Sequence, residues 1–372
     1  MGADIVAARR SRPALRAPRK DRAELVMAIS HPASLPPTMT AWLTRGDGID
    51  KLQPTTVPVP APGTYDILLK VVSRSLNYRD LLVINGEASW RPASPVVPVS
   101  DAAGVVVARG AAVTRFAVGD RASAMFLPRW HAGRLTQDTY VSPVGGPINR
   151  GMLADYVVVH EDEAATPPRT LSDAEAATLP IAGVTAWHAV AVRNAVAAGD
   201  TVLIHGTGGV ALFALQFAHA RGARVAITSS SDAKLRRART LGADLTINYR
   251  THDVADAVLD WTGGDGAYHV ADTIGGENLN TSLRAVRIGG SIAFIGLIAG
   301  RAARINTYEF VTKNVTIHGI ETGSREMYEQ MAAFIDEHEI HPIIDSINAT
   351  TEVRGALHQL EQGTSFGKLV LT

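Results

Sequence analysis

Thr201-Val202-Leu203-Ile204-His205 runs directly into Gly206-Thr207-Gly208-Gly209-Val210-Ala211, and this junction decides the fold. The first five residues read as a buried strand. Behind them, Gly209–Arg221 carries apolar residues at helical spacing. Gly206 permits a tight turn, Gly208 lets backbone approach a pyrophosphate, and Ala211 packs helix against strand. Thr207, Gly209 and Val210 complete the expected phosphate turn, where the amides and dipole of a helix start attract anions. G-x-G-x-x-A is weak by itself; the strand–turn–helix context gives it weight.

Working outward, Val225–Thr228, Leu245–Ile247, Tyr268–Asp272 and Ile292–Ile295 read as further strands with helices between them. One helix runs from Asp232 to Leu241 and stops at Gly242. Apolar strands alternating with helices predict a parallel sheet covered on both faces. Residues 39–170 have another texture. Asp66–Val72, Val96–Val99, Gly104–Ala108 and Leu153–Val159 read as short strands punctuated by Gly and Pro, as in a small antiparallel barrel. Ser172 with Glu175 forms a capping box where helical patterning begins. The tail predicts a helix over Ser324–His338 and a closing strand, Lys368–Leu371.

A chain of 372 residues, 46% hydrophobic, has room for two domains with substantial cores. Its 36 basic and 36 acidic residues cancel, so no overall field draws it to nucleic acid or anionic lipid. With no cysteine, disulfides, thiolate nucleophiles and thiolate-bound metals are excluded. No apolar run approaches the roughly 18 residues of a membrane span, and a cytoplasmic location is expected. Residues 1–38 are Arg-rich and acid-poor. They resemble an organelle transit peptide or a basic arm, but the preferred reading is a disordered leader ahead of a true start at Met39.

The end of the second strand bears on cofactor choice. A carboxylate there would hold a ribose 2′-hydroxyl. The sequence has Thr228-Ser229-Ser230-Ser231, then Lys234, with Tyr249-Arg250 after the third strand. Hydroxyls and cations suit a 2′-phosphate, so NADPH is expected, with NADH the alternative. Asp232 reads as the cap of the following helix.

Several stretches then carry a resemblance. Leu76-Asn77-Tyr78-Arg79-Asp80, Pro98-Val99-Ser100-Asp101-Ala102-Ala103-Gly104, Val118-Gly119-Asp120-Arg121, Ala177-Thr178-Leu179-Pro180, Ala182-Gly183-Val184-Thr185-Ala186 and Leu241-Gly242-Ala243-Asp244 accompany the glycine turn. From Met39 to Thr372 the chain resembles zinc-independent medium-chain dehydrogenases/reductases of the quinone oxidoreductase group. The resemblance implies an α/β molecule with a Rossmann parallel-sheet domain and a GroES-like, barrel-type catalytic domain. It divides the chain into 39–170 as the GroES-like part, 171–323 as the Rossmann part, and 324–372 as a segment returning to the substrate domain. A homodimer or homotetramer is implied, with an edge strand near Thr316–Ile320 pairing across the interface.

In zinc-dependent relatives Cys, His and Cys hold a catalytic metal; by pattern those places are Asn77, Ser100 and Ile181 here. Ile181 has no donor atom and the other two make a poor zinc site, so no zinc is expected. The segment Phe126–Gln137, where those relatives bind a structural zinc, has no cysteine. Hydride would then go to an acceptor that is already electron-poor, a quinone or an α,β-unsaturated carbonyl. Tyr78 is the candidate catalytic donor to the substrate oxygen, or else an aromatic packed under the cofactor. The resemblance places Asn77 and Thr185 by the nicotinamide, and Ile274, Ile295 and Gly296 along its ribose at strand ends. Lys368 either touches the cofactor or is a solvated edge lysine. His131, in a loop bordering the substrate pocket of this family, either donates a proton or faces solvent. Zinc-free alcohol oxidation is the enzymatic alternative; a non-catalytic NADPH-binding structural or sensor protein is the alternative of another class. Gly363-Thr364-Ser365-Phe366-Gly367 mimics a nucleophile elbow, but no histidine follows it.

Overall fold

Alternate burial of Met39 and Ala41 sets the first hairpin: β1 (Thr38–Leu43) pairs antiparallel with β2 (Gln53–Pro58). The computed structural model describes residues 35–372; the leader reading falls largely on residues outside the described ones. Next come β3 (Asp66–Ser75), α1 (Tyr78–Ile84), β4 (Asp101–Arg109), β5 (Arg121–Ala124), β6 (Tyr156–His160) and β7 (Ala164–Ala165). A helical bridge follows. In it α2 (Asp173–Ala176), closed by the Ser172–Glu175 capping box, and α3 (Val184–Trp187) are linked by π-helical turns.

The second half alternates as expected: β8 (Thr201–Ile204), α4 (Gly209–Ala220), β9 (Arg224–Ser229), α5 (Asp232–Thr240), β10 (Leu245–Asn248), α6 (Val254–Trp261), β11 (Ala267–Asp272), α7 (Asn278–Ala285), β12 (Val286–Phe294), α8 (Thr307–Thr312) and β13 (Thr316–Gly319). These strands form one parallel sheet in the order β10-β9-β8-β11-β12-β13. Val202 and Ile204 face one core and Leu203 the opposite one, so β8 is apolar throughout because both faces are covered. The chain ends with α9 (Arg325–His338), β14 (Ile344–Asn348), α10 (Val353–Glu361) and β15 (Lys368–Leu371). Here it returns to the first half. β15 pairs with β3, completing a seven-stranded sheet in the order β14-β15-β3-β4-β5-β7, with β6 also on β3.

The architecture is therefore an α/β molecule combining a Rossmann-type parallel sheet with a GroES-like sheet. Two local expectations differ. Val96–Val99 is a loop with a single bridge, Thr44 to Val96, because Pro95 and Pro98 remove two ladder donors. The strand expected from Leu153 begins at Tyr156; the chain before it is pulled aside where Gly151 packs on the Pro98 and Val99 carbonyls. No helix among the described residues is long and apolar enough to cross a membrane.

Candidate active site

The glycine turn is built from backbone. Gly206 has φ +86°, the left-handed region that glycine enters freely, and its amide donates to Thr228 Oγ1 at 3.1 Å, tying β8 to the end of β9. Gly208 caps α4 without any side chain, so the first amides of that helix are open to an anion. No atom lies within 4 Å of where a Gly208 Cβ would stand. Gly209 is glycine for another reason: a Cβ would come within 2.4 Å of Lys368 Cδ. The Gly367 amide donates to the Thr207 carbonyl at 3.1 Å, so the C-terminal segment closes over the turn beside Val210.

A cavity of about 660 Å³ opens beyond the carboxyl ends of β8 to β11, lined by His205, Thr228, Tyr249, Arg250, Ile274 and Asn278 among others. It brings Tyr249 and Ile274 together beside the glycine turn. Ser229 and Ser230 are outside its lining, and Ser229 Oγ accepts from the Ser231 amide. Lys234 departs from expectation. Its ammonium donates to the Gly363 and Ser365 carbonyls at 3.1 and 2.9 Å, tying α5 to the loop before β15. Asp232 is not the helix cap either. Ser231 caps α5 on the Lys234 amide, while Asp232 accepts from Asn248 Nδ2 at 2.7 Å. Below the cavity, Asp272 Oδ1 takes the Ile274 and Gly275 amides and Asn278 Nδ2 at 2.9–3.1 Å. Its other oxygen accepts from Ser282, which meets the buried His205. Burial holds His205 below the usual histidine range. Ile295 and Gly296 both donate backbone amides to the Asp272 carbonyl, and a Cβ on Gly296 would strike Thr273.

Asn77, Ser100 and Lys368 meet beside this turn in two linked networks. Asn77 begins α1, with its amide on Asp80. Its side-chain Nδ2 donates to Asp101 at 2.9 Å, and its Oδ1 accepts from Lys368 Nζ at 2.6 Å. Lys368 also donates to the Leu76 carbonyl at 2.6 Å and is 4% exposed, which removes the solvated-lysine alternative. In the second network Arg79 donates to Ser100 Oγ at 2.5 Å, and Ser100 donates to Asp80 at 2.8 Å. Burial pushes the Asp101 carboxyl up to about 7, against the pull of Lys368 and Asn77. Burial likewise pushes Lys368 down, opposed by Asp101 and Asp80. Tyr78 stands at the start of α1 with its ring 38% exposed. Thr185 Oγ1 is buried with no partner among the described residues.

Sequence reasoning missed Asp101, Asp80 and Asp272 as organisers of the site. Asp101 and Asp272 are carboxylates at the start and end of strands that otherwise read as apolar, and Asp80 is the acid three residues after Asn77, in the first turn of α1. The elbow-like stretch Gly363–Gly367 leads into a strand, and its backbone serves to hold Lys234 and to close on Thr207. His131 packs its carbonyl on the Glu326 amide at the start of α9. Among the described residues no cluster of three His, Asp or Glu side chains is placed to hold a metal ion.

A Rossmann-type sheet with an uncapped glycine turn, facing a GroES-like sheet through a polar cleft, defines a nucleotide-dependent oxidoreductase. Residues 63–169 match the family model described as an alcohol dehydrogenase GroES-like domain, and residues 209–337 match that of a zinc-binding dehydrogenase. A zinc-type alcohol dehydrogenase-like protein of Schizosaccharomyces pombe is 37% identical over 334 residues, 87% of this chain and 96% of its own. An NADPH-dependent alkenal/one oxidoreductase, chloroplastic, of Arabidopsis thaliana is 28% identical over 94% of this chain and 83% of its own. The crystal structure of a Sinorhizobium meliloti 1021 protein, provisionally assigned as an alcohol dehydrogenase, superposes with a TM-score of 0.86 at 40% identity, covering 91% of this chain and 99% of that one. The chain belongs to the medium-chain dehydrogenase/reductase superfamily and is an oxidoreductase that uses a nicotinamide cofactor.

Proposed function

We propose that the chain is a zinc-independent reductase that uses NADPH to reduce quinones or α,β-unsaturated carbonyls. The observation that carries this reading is the occupation of the would-be metal donors. Asn77 Oδ1 is taken by the Lys368 ammonium and Ser100 Oγ by the Arg79 guanidinium. A dication brought there would meet two cations and a sec-butyl group at Ile181, so the residues do not fit zinc. A metal-free cleft favours an acceptor that is activated already.

When bound, the nicotinamide supplies hydride. The first amides of α4, with Gly206 to Val210, would hold the pyrophosphate, and Ile274, Ile295 and Gly296 would border the ribose. Asn77 and Thr185 would lie by the nicotinamide and position it for the acceptor. Tyr78 donates to the acceptor oxygen as charge gathers on it. Tyr249, with the neighbouring Arg250, would meet the 2′-phosphate end; Ser229 and Ser230, outside the cavity lining, and Lys234, committed to carbonyls, are weaker candidates there. The name of the Arabidopsis relative supports both the cofactor and the acceptor class.

The alcohol dehydrogenase names of other relatives favour a second reading, zinc-free alcohol oxidation. One assay separates the two: NADPH and NADH consumption in EDTA with benzoquinone, an enone and a simple ketone, beside NADP-dependent oxidation of primary alcohols. Quinone or enone turnover, faster with NADPH, supports the reductase. Loss of activity in EDTA, near-stoichiometric zinc in the purified protein, or turnover with alcohols alone overturns it.

The division into 39–170, 171–323 and a returning 324–372 is part of the same proposal, supported by the pairing of β15 with β3. So is a homodimer. β13 ends the parallel sheet, and Ile288, Tyr308 and Val311 beside it are more than 70% exposed.

A further inference from the structure

Two cations on one helix face grip the end of the chain beside the glycine turn. Lys234 and Arg237, three residues apart, share a face of α5. Lys234 Nζ donates to the Gly363 and Ser365 carbonyls at 3.1 and 2.9 Å. The Arg237 guanidinium lies 4.0 Å from the centre of the Phe366 ring, and its Nη1 is 3.6 Å from Asp345 Oδ1. The cause of the Lys234 contact is local. α10 stops where Gly363 enters the left-handed region at φ +65°, and the free carbonyls of such a helix end attract a cation. Phe366, 2% exposed, packs in the core that holds Val202, Ile204 and Ala211. Residues 363–367 are therefore fixed to the parallel sheet by α5 at one end and by the glycine turn at the other.

We propose that Lys234 is a positioning residue for the dinucleotide cofactor, setting its affinity by stapling residues 363–367 onto the glycine turn without touching the cofactor itself. The staple acts through one peptide plane. The Gly367 amide donates to the Thr207 carbonyl at 3.1 Å. In a trans peptide the carbonyl and the following amide point opposite ways, so fixing the Thr207 oxygen also fixes the direction of the Gly208 N–H. That amide stands at the anion-binding start of α4. Two residues before Gly367, the Ser365 carbonyl is one of the pair that Lys234 holds. One residue after it, Lys368 runs past Gly209 to the Leu76 carbonyl and Asn77 Oδ1. A single strap thus carries the orientation of the phosphate turn and the ammonium on Asn77, and Lys234 fastens its leading end.

The inference rests on the reading that the cofactor's diphosphate lies on the glycine turn, and it is independent of the acceptor. It divides the work at the adenosine end. Arg250, in the cavity lining beside Tyr249, is left to read a 2′-phosphate. Lys234 serves the turn, which NADPH and NADH use alike, so its removal weakens both.

The test is the Kd of NADPH and of NADH, by fluorescence titration, for wild type, Lys234→Met, Lys234→Arg and Gly208→Ala, each with a thermal melt. Lys234→Met is expected to raise both Kd values by one common factor of about ten, the effect of losing a hydrogen bond from a charged donor. Lys234→Arg recovers both, and the ratio of the two Kd values stays that of wild type throughout. A folded Lys234→Met protein that loses affinity for NADPH alone makes Lys234 a ligand of the 2′-phosphate and overturns the proposal. One that binds both cofactors as wild type does overturns it too. If Lys234→Met does not fold, hydrogen exchange of residues 363–368 in wild type decides. Equal protection by NADPH and NADH supports the staple; faster exchange with NADPH than with NADH means that Lys234 leaves its carbonyls for the 2′-phosphate, and overturns it. Gly208→Ala tests the placement separately. No atom lies within 4 Å of the added Cβ and φ is −81°, so the variant folds, while its methyl group obstructs the diphosphate. Wild-type binding of both cofactors by Gly208→Ala overturns the placement and the proposal together. Weakened binding there, beside wild-type binding in Lys234→Met, overturns the proposal alone.

Discussion

Lys368 does three things at once: it occupies the space that requires glycine at 209, satisfies the Leu76 carbonyl, and places a positive charge on Asn77. Lys368→Met leaves the buried Leu76 carbonyl and Asn77 Oδ1 without their donor. A loss of about 1–3 kcal/mol for each orphaned acceptor is expected in urea denaturation. Tyr78 is a different case, because its half-exposed ring carries little packing. Tyr78→Phe is expected to keep the wild-type denaturation midpoint while kcat/KM with a quinone falls about 10²-fold. Unchanged kcat/KM would remove Tyr78 from the chemistry.

Elements were legible where one physical cause acted alone. β15 has the bounds that its apolar run predicts, and Ser324 caps α9 by accepting from the Met327 amide at 3.2 Å. Ser324→Ala is expected to cost about 1 kcal/mol in chemical denaturation. Where two causes compete the sequence misleads: Val96–Val99 has strand-forming side chains, yet its flanking prolines prevent a ladder. The glycine turn could be read because its strand, turn and helix are contiguous in sequence, although Lys368 and Gly367 close over it from the far end of the chain. The roles of Lys234 and Lys368 could not, since each depends on a partner brought from a remote stretch of chain. At the free edge of the parallel sheet, β13 predicts a dimer. Light scattering at rising concentration is expected to show two chains per particle, and Tyr308→Glu with Val311→Glu to return it to one.

Across the whole molecule, buried histidines set the acid limit. His269, in the middle of β11, is buried among Asn194 and Ser291 and held down to about 3 by desolvation. It is neutral in the folded chain and takes up a proton on unfolding once pH drops below about 6.5. The stability this provides is complete above 6.5 and is lost as pH falls toward 3. The slope approaches about 1.4 kcal/mol per pH unit for each such proton. His205 acts in the same direction. Unfolding free energies between pH 4 and 6.5 are expected to show this slope, and His269→Gln to reduce it by one proton.

The return of the chain end to β3 also bears on biosynthesis. Lys368 reaches Leu76 across 292 positions, and β15 joins its near neighbour β14 to strands translated long before, β3 to β7. While the parallel sheet is being translated, the Arg74–Leu76 end of β3, beyond the stretch that β6 covers, awaits its neighbour with unpaired amides and carbonyls. The segment from Gly367 to Leu371 thus ties three functions to one stretch of chain: a strand of the sheet, the clasp on the phosphate turn and the ammonium on Asn77, so that its loss removes all three together.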